Sequence, residues 1–472
     1  MASMLAGCTP WPEEFVDRYW AAGHWRGNTL DNLLRGWAQQ YGPRTALVHG
    51  GGTRITYAGL NRRVNRMAAG FRLRGLRPGQ RAVVQLPNVT EFVTTVFALM
   101  RIGAVPVLCP VSHRASEVAH VVRITEAVGY VGPSTYRGFD HTAMAADIAA
   151  QGPFLRRVFT FEAPGESSPY GGFSTDPAGC HYFPLGSLDS PPGPTPAQSA
   201  DQVAFFLLSG AATEAPRLVP RTHNDYAYQA RAAAELVSLT EKDVYLAALP
   251  AESHLAFGCP GIIGTLSVGG TVVLAENPDP AECLAAVARE RVTITSVTPS
   301  VAQDWLDVLP TTQADLSSLR LVQVGGAAPL PRATAERMGP ELDCRLQQVF
   351  GMAEGLLTLT RPADPDGTVL TAQGRPLSPD DEIRIVDADG KDVPDGESGE
   401  LLARGPYTLR GYYRAPDHNA RSFTADGYFR TGALARRTPE GNLVVTGRLT
   451  GTAAGPGRSR LRRAAGPWPG TC

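Results

Sequence analysis

The chain has 472 residues, 43% hydrophobic and 19% charged, with 44 Lys plus Arg against 45 Asp plus Glu for a formal charge of −1. That length predicts about three structural units, and the near-neutral balance argues against nucleic acid as a partner. Seven scattered cysteines, none in C-x-x-C spacing, predict reduced thiols in a cytoplasmic protein rather than a zinc site or a disulfide framework. No apolar run approaches the ~18 residues of a membrane span, and MASMLAGCTPWPEEF lacks the basic and apolar regions of a signal peptide.

In chain order, RAVVQLP at 81–87 reads as a buried strand, and Asn88 followed by Glu91 as a capping box. Val89, Phe92, Val93, Val96, Phe97 and Met100 then share one helical face, and Gly103 ends that helix. VPVLCP at 105–110 is the next strand and ASEVAHVVRITEA at 115–127 the next helix. Strand, helix and strand at this spacing predict a parallel sheet with helices on both faces. The stretch 164–201 is rich in Gly, Pro and Ser and predicts a loop between subdomains. A second αβ series follows in VAFFLLS, VYLAAL, GTVVLA, VTITSVTP and LRLVQVGG. From about 382 the pattern turns to short alternating strands, as in DEIRIVDADGKDVPDGESGELLARG, which predicts an antiparallel unit.

The expected fold class is therefore α/β, with two doubly wound αβ subdomains and a small antiparallel β subdomain. The expected divisions are 1–200, 201–381 (holding the nucleotide and acyl sites) and 382–447. Residues 448–472, Arg/Gly/Ala/Pro-rich and without period, are expected to be an aberrant, disordered tail.

Three polar turns follow strands. FLLSGAATEAPRLVPRTH (206–223) places Ser209, Gly210 and Thr213 where hydroxyls and amides could hold phosphate oxygens. It does not match the P-loop pattern G-x-x-x-x-G-K-[ST], and a simple turn accounts for it equally. In QVGGAAPL (323–330), Gly325 and Gly326 would let a flat ring approach bare backbone, or merely form a tight strand-to-helix turn. QQVFGMAEG (347–355) brings an aromatic, a glycine and Glu354, an acid that beside a nucleotide would ligate Mg²⁺ and elsewhere would be a solvated surface residue.

The order of these segments, followed by FRTG (429–432) and VVTGR (444–448), resembles the adenylate-forming superfamily of acyl-CoA ligases, luciferases and peptide-synthetase adenylation domains. LQQVFGMAEGLLTLTRPADP, RGPYTLRGYYRAPDHNARSF and DLSSLRLVQVGGA are most similar to its stand-alone aryl-acid–AMP ligases, over roughly residues 10–448. The resemblance implies ATP and Mg²⁺ as cofactors. It also implies an aryl carboxylic acid as substrate, an aryl carrier protein or peptide synthetase as partner, and a role in siderophore or antibiotic assembly. It assigns Ser209, Gly210 and Thr213 to the phosphates, Gly326 and Ala327 to the adenine and aryl sites, and Phe350, Gly351 and Met352 to the nucleotide pocket. Glu354 would hold Mg²⁺, and Arg448 would reach ribose or phosphate; Thr213, Glu354 and Arg448 would be the catalytic set.

The chain departs from the family pattern in several places. In the phosphate loop, Ala211, Ala212, Glu214 and Arg217 replace Gly, Ser, Gly and Lys. Ala433 stands where the family carries an Asp for the ribose hydroxyls. The family's smaller C-terminal α+β domain, which bears a lysine for the adenylation step, is expected to be missing through truncation or frameshift, leaving an impaired, binding-only protein as the alternative reading. In LPAESHLAFGCPG (249–261), Ser253 replaces a gate His, His254 an Asn that contacts the acid, and Cys259 a Ser near the ring. With Gly325, these are the expected substrate-binding residues. An acceptor nitrogen on His254 would suit an ortho-amino group, as in 3-hydroxyanthranilate or its 4-methyl derivative, ahead of 2,3-dihydroxybenzoate and salicylate; alternatively His254 is the gate His displaced by one position.

Overall fold

The computed structural model describes residues 4–49, 52–162, 173–210, 215–276, 278–326 and 328–449. Two large sheets dominate it, and each is parallel at its centre and closed by antiparallel strands at its edges. In the eight-stranded sheet, Arg217–Thr222, Val203–Ser209, Val105–Leu108, Arg81–Val84, Gly129–Pro133, Arg157–Phe161, His181–Pro184 and Ser174–Thr175 follow one another. The nine-stranded sheet has Val244–Ala247 and Ile294–Val297 at its middle and runs through Leu321–Gly325 and Arg345–Met352 toward one edge. A four-stranded antiparallel sheet is formed by Glu382–Val386, Gly399–Arg404, Phe429–Arg437 and Leu443–Arg448.

Burial explains the layering. Near-continuous apolar strands such as Val105–Leu108, buried along their whole length, must be covered on both faces. One core cluster draws on the helices Tyr57–Leu73, Thr90–Arg101 and Gly261–Ser267 and on strands of both large sheets, and so lies between them. The outer face of the nine-stranded sheet is covered around Trp305, and that of the eight-stranded sheet around Val121 and Tyr130. Among the described residues no helix is long and apolar enough to cross a membrane.

The sheets do not divide where the sequence pattern places a boundary. Thr45–His49 pairs with Thr271–Leu274 in the nine-stranded sheet, whereas Val203–Ser209 and Arg217–Thr222 belong to the eight-stranded one. The cut at 200/201 is corrected accordingly: the loop-rich composition of 164–201 marks a long connection, and the chain returns after it to the sheet it left. The tail expected at 448–472 falls, after Leu449, outside the described residues.

Asn88 also differs from expectation. The helix Thr90–Arg101 takes Val89 as its N-cap, with no side-chain cap. The Asn88 amide instead donates to the carbonyls of Ala247 (3.0 Å) and Leu249 (2.9 Å) and accepts from the Ala251 N–H (2.7 Å). A buried amide with three partners, at and just beyond the end of the strand Val244–Ala247, is worth more than one exposed cap bond, and it fixes the start of the segment 249–261.

Candidate active site

The carboxyl ends of strands from both large sheets meet the antiparallel sheet around a cleft of about 840 Å³, the usual place for a ligand in open α/β sheets. Ser209 and Gly210 enter it from the eight-stranded sheet, and Gly326, Phe350, Gly351, Met352 and Glu354 from the nine-stranded one. Ala433 and Arg448 close it from the antiparallel sheet, and His254 also lines it. Residues separated by more than 200 positions thus line one space. Thr213 and Ala327, like Ala211, Ala212 and Glu214, lie outside the described residues.

Three of the expected substrate residues do not line the cleft. The Ser253 hydroxyl accepts the Ala256 N–H at 3.3 Å and caps the short helix His254–Gly258. Cys259 is fully buried against a cluster containing Tyr228 and Tyr407, and burial pushes its thiol up to about 12, so it stays protonated. Gly325 is a packing requirement, because a Cβ there would stand 2.7 Å from the Val349 carbonyl oxygen of the adjacent strand. Gly326 differs: its φ of +147° is one that side-chain-bearing residues rarely adopt, and the space before it is open to 3.7 Å.

Glu354 is held from several sides. Ser209 Oγ and Tyr412 Oη both donate to its Oε1, the latter at 2.7 Å. Its backbone carbonyl accepts the Leu409 N–H at 2.7 Å. Arg221, buried in an ion pair with Asp225 (2.8 Å), donates to the neighbouring Ala353 carbonyl at 3.2 Å and to the Tyr407 carbonyl at 3.3 Å. Asp225 in turn forms a capping box with Thr222 at the start of the helix His223–Leu236, so the arginine stands on a fixed base.

His254 is the opposite case. Neither ring nitrogen has a partner among the described residues, while Tyr226 lies edge-on with ring centroids 6.0 Å apart. Burial first, and the Arg221 charge second, hold its imidazole well below the ordinary histidine range. It is therefore neutral at physiological pH, with one donor and one acceptor nitrogen. Two residues away, burial pushes the Glu252 carboxyl up to about 8.

The donor set near Glu354 was tested against Mg²⁺. Among the described residues no group of three or more His, Cys, Asp or Glu could hold a metal ion unaided. Magnesium commonly takes one or two carboxylates and completes its shell with substrate phosphate and water. One carboxylate with both of its side-chain hydrogen bonds on Oε1 fits that requirement.

Sequence reasoning did not single out Tyr412 or Arg221, and it took Asn88 for a helix cap rather than the clamp it is. Tyr412 stood within the quoted RGPYTLRGYY, but nothing local to that segment points toward Glu354, 58 residues away.

Two opposed, largely parallel sheets and an antiparallel unit closing a cleft over one acid define an adenylate-forming enzyme. The chain belongs to the AMP-binding enzyme family, whose model matches residues 34–413, and it is an adenylate-forming enzyme of the aryl-acid–AMP ligase group. It is 43% identical over 445 residues to the 2,3-dihydroxybenzoate-AMP ligase of Bacillus subtilis, covering 94% of this chain and 79% of that one. It is 42% identical to the salicyl-AMP ligase / salicyl-S-ArCP synthetase of Mycobacterium tuberculosis, covering 94% and 77%. The apo structure of MbtA from Mycobacterium smegmatis superposes with a TM-score of 0.85 at 43% identity, over 95% of this chain and 81% of that one.

Proposed function

We propose that this enzyme activates an ortho-substituted hydroxy-aryl acid with ATP and loads it onto a carrier. The acid's carboxylate oxygen attacks the α-phosphorus, the bond to pyrophosphate breaks, and aryl-AMP forms. A phosphopantetheine thiolate then attacks the acyl carbon and AMP leaves. Charge neutralisation and positioning supply most of such catalysis. In this reading Phe350 packs on the adenine, Ser209 and Gly210 meet phosphate oxygens, Arg448 reaches ribose or phosphate, and Glu354 holds Mg²⁺. Bound there, the ion would neutralise charge on the phosphates.

The observation that carries the substrate class is the unpartnered, neutral His254 opening into the cleft that also holds Glu354. A buried polar group without a partner costs about 1–3 kcal/mol, and a ligand that satisfies it recovers that cost. An acceptor nitrogen favours an ortho N–H, so 3-hydroxyanthranilate or its 4-methyl derivative is placed ahead of 2,3-dihydroxybenzoate and salicylate. Loading onto a carrier in siderophore or antibiotic assembly is supported by the relative whose name includes salicyl-S-ArCP synthetase.

ATP–pyrophosphate exchange across these four acids tests the proposal, with amino-aryl acids expected to lead. Dihydroxybenzoate exceeding both of them would remove His254 from the role of selecting an amino group. A second reading, aryl-acid binding without turnover, is favoured by the apolar environment of Ala433, which packs with Leu356, Ile385 and Leu401 at the nucleotide end. Retained acid binding with no exchange for any acid would select it.

A further inference from the structure

The hydrogen bonds to Glu354 are asymmetric: both side-chain donors reach Oε1. The two donors differ in kind. Ser209 ends a strand and lines the cleft, where the proposed nucleotide would compete for its hydroxyl. Tyr412 is buried and reaches Glu354 from a separate segment, 58 residues further along the chain.

Tyr412 is itself braced. Asn419, on the helix Pro416–Ser422, accepts the Tyr412 backbone N–H at 2.8 Å and donates to its carbonyl at 2.9 Å. One side-chain amide thus grips both polar groups of a single residue. The ring lies between His418 and Phe429, with centroids 5.0 and 6.2 Å away. The approach of the 405–413 segment to Glu354 depends on Gly355, where a Cβ would stand 2.5 Å from the Thr408 Cα and 2.6 Å from the Tyr407 carbonyl oxygen.

We infer that Tyr412, braced by Asn419, is a positioning residue that turns Glu354 so that Oε2 faces the metal–nucleotide site, and that it keeps this role when Ser209 is drawn to the nucleotide. The inference rests on the reading of Glu354 as the metal-holding acid. Groups that orient a metal ligand change metal affinity by about 10–100-fold when removed.

The test is a binding measurement: titration of a non-hydrolysable ATP analogue into the protein with and without Mn²⁺, taking the ratio of the two affinities. Tyr412→Phe keeps the ring packing and removes only the phenol, and is expected to lower that ratio about 10-fold. Asn419→Ala, which leaves the phenol in place and loosens its base, is expected to lower it by a smaller factor. A circular-dichroism melt of each variant confirms that it folds. An unchanged ratio in Tyr412→Phe, with Mn²⁺ still tightening the analogue on the unmodified protein, overturns the role of Tyr412 alone. A ratio of one in the unmodified protein overturns the metal-holding reading and this inference with it.

Discussion

The two ends of the cleft are built on opposite rules. At the end proposed for the nucleotide, Glu354 receives two side-chain hydrogen bonds and one to its backbone, and Arg221 pins the residue before it. At the other end, His254 has two ring nitrogens with no hydrogen-bond partner among the described residues, on a helix of five residues capped by Ser253. A group used in the same geometry each cycle gains from being fixed in advance. A group that selects a ligand discriminates best when it is left unsatisfied until the right ligand arrives.

The strongest test of this contrast is Glu354→Gln. Loss of the carboxylate charge is expected to lower ATP–pyrophosphate exchange by at least about 100-fold with little change in aryl-acid affinity, measured by equilibrium dialysis. Equal losses at both ends would break the separation. Ala433→Asp probes the nucleotide end where it is apolar. A charge-assisted hydrogen bond there is expected to tighten ATP by about 10-fold, corresponding to roughly 1.5 kcal/mol, with no shift in acid preference.

His254→Asn sharpens the acyl end. It is expected to move the preference from 3-hydroxyanthranilate toward 2,3-dihydroxybenzoate by roughly 5–10-fold, a change of about 1 kcal/mol, while the nucleotide affinity holds. Glu252→Gln is read in stability rather than in ligand affinity. Glu252 rises from an ordinary 4.5 to about 8 in the folded state, so between those values the native chain retains a proton that the unfolded chain has lost. Its contribution to stability is complete below pH ~4.5, declines as pH rises toward ~8, and falls at most about 1.4 kcal/mol per pH unit. Denaturant melts across that window should show a flatter pH dependence in the variant; an unaltered slope would mean that Glu252 does not retain the proton.

Local patterns carried much of the fold. The alternation of buried strands with amphipathic helices read from RAVVQLP through ASEVAHVVRITEA appears in the structure as Arg81–Val84, Thr90–Arg101, Val105–Leu108 and Ala115–Thr125. The antiparallel unit from 382 was legible for the same reason, since a period of two residues marks a strand wherever it pairs. The grouping of the candidate residues was legible in part: Ser209, Gly210, Gly326, Phe350 and Glu354 line one cleft. Cys259, which the family resemblance put near the substrate ring, is buried in a hydrophobic cluster and does not line the cleft. Gly325 looked like a ligand contact and instead permits two strands to approach.

The amino-acid order alone determined the alternating elements, their turns and the succession of polar loops, because backbone propensity and apolar periodicity act over a few residues. Only the tertiary structure decided that the chain returns to the eight-stranded sheet after residue 201, that Asn88 clamps the start of the segment 249–261 from 163 residues away, and that Tyr412 holds Glu354. Such pairings depend on how packed layers bring distant loops together, and a hydrogen bond within about 3 Å leaves no periodic trace in either segment that forms it.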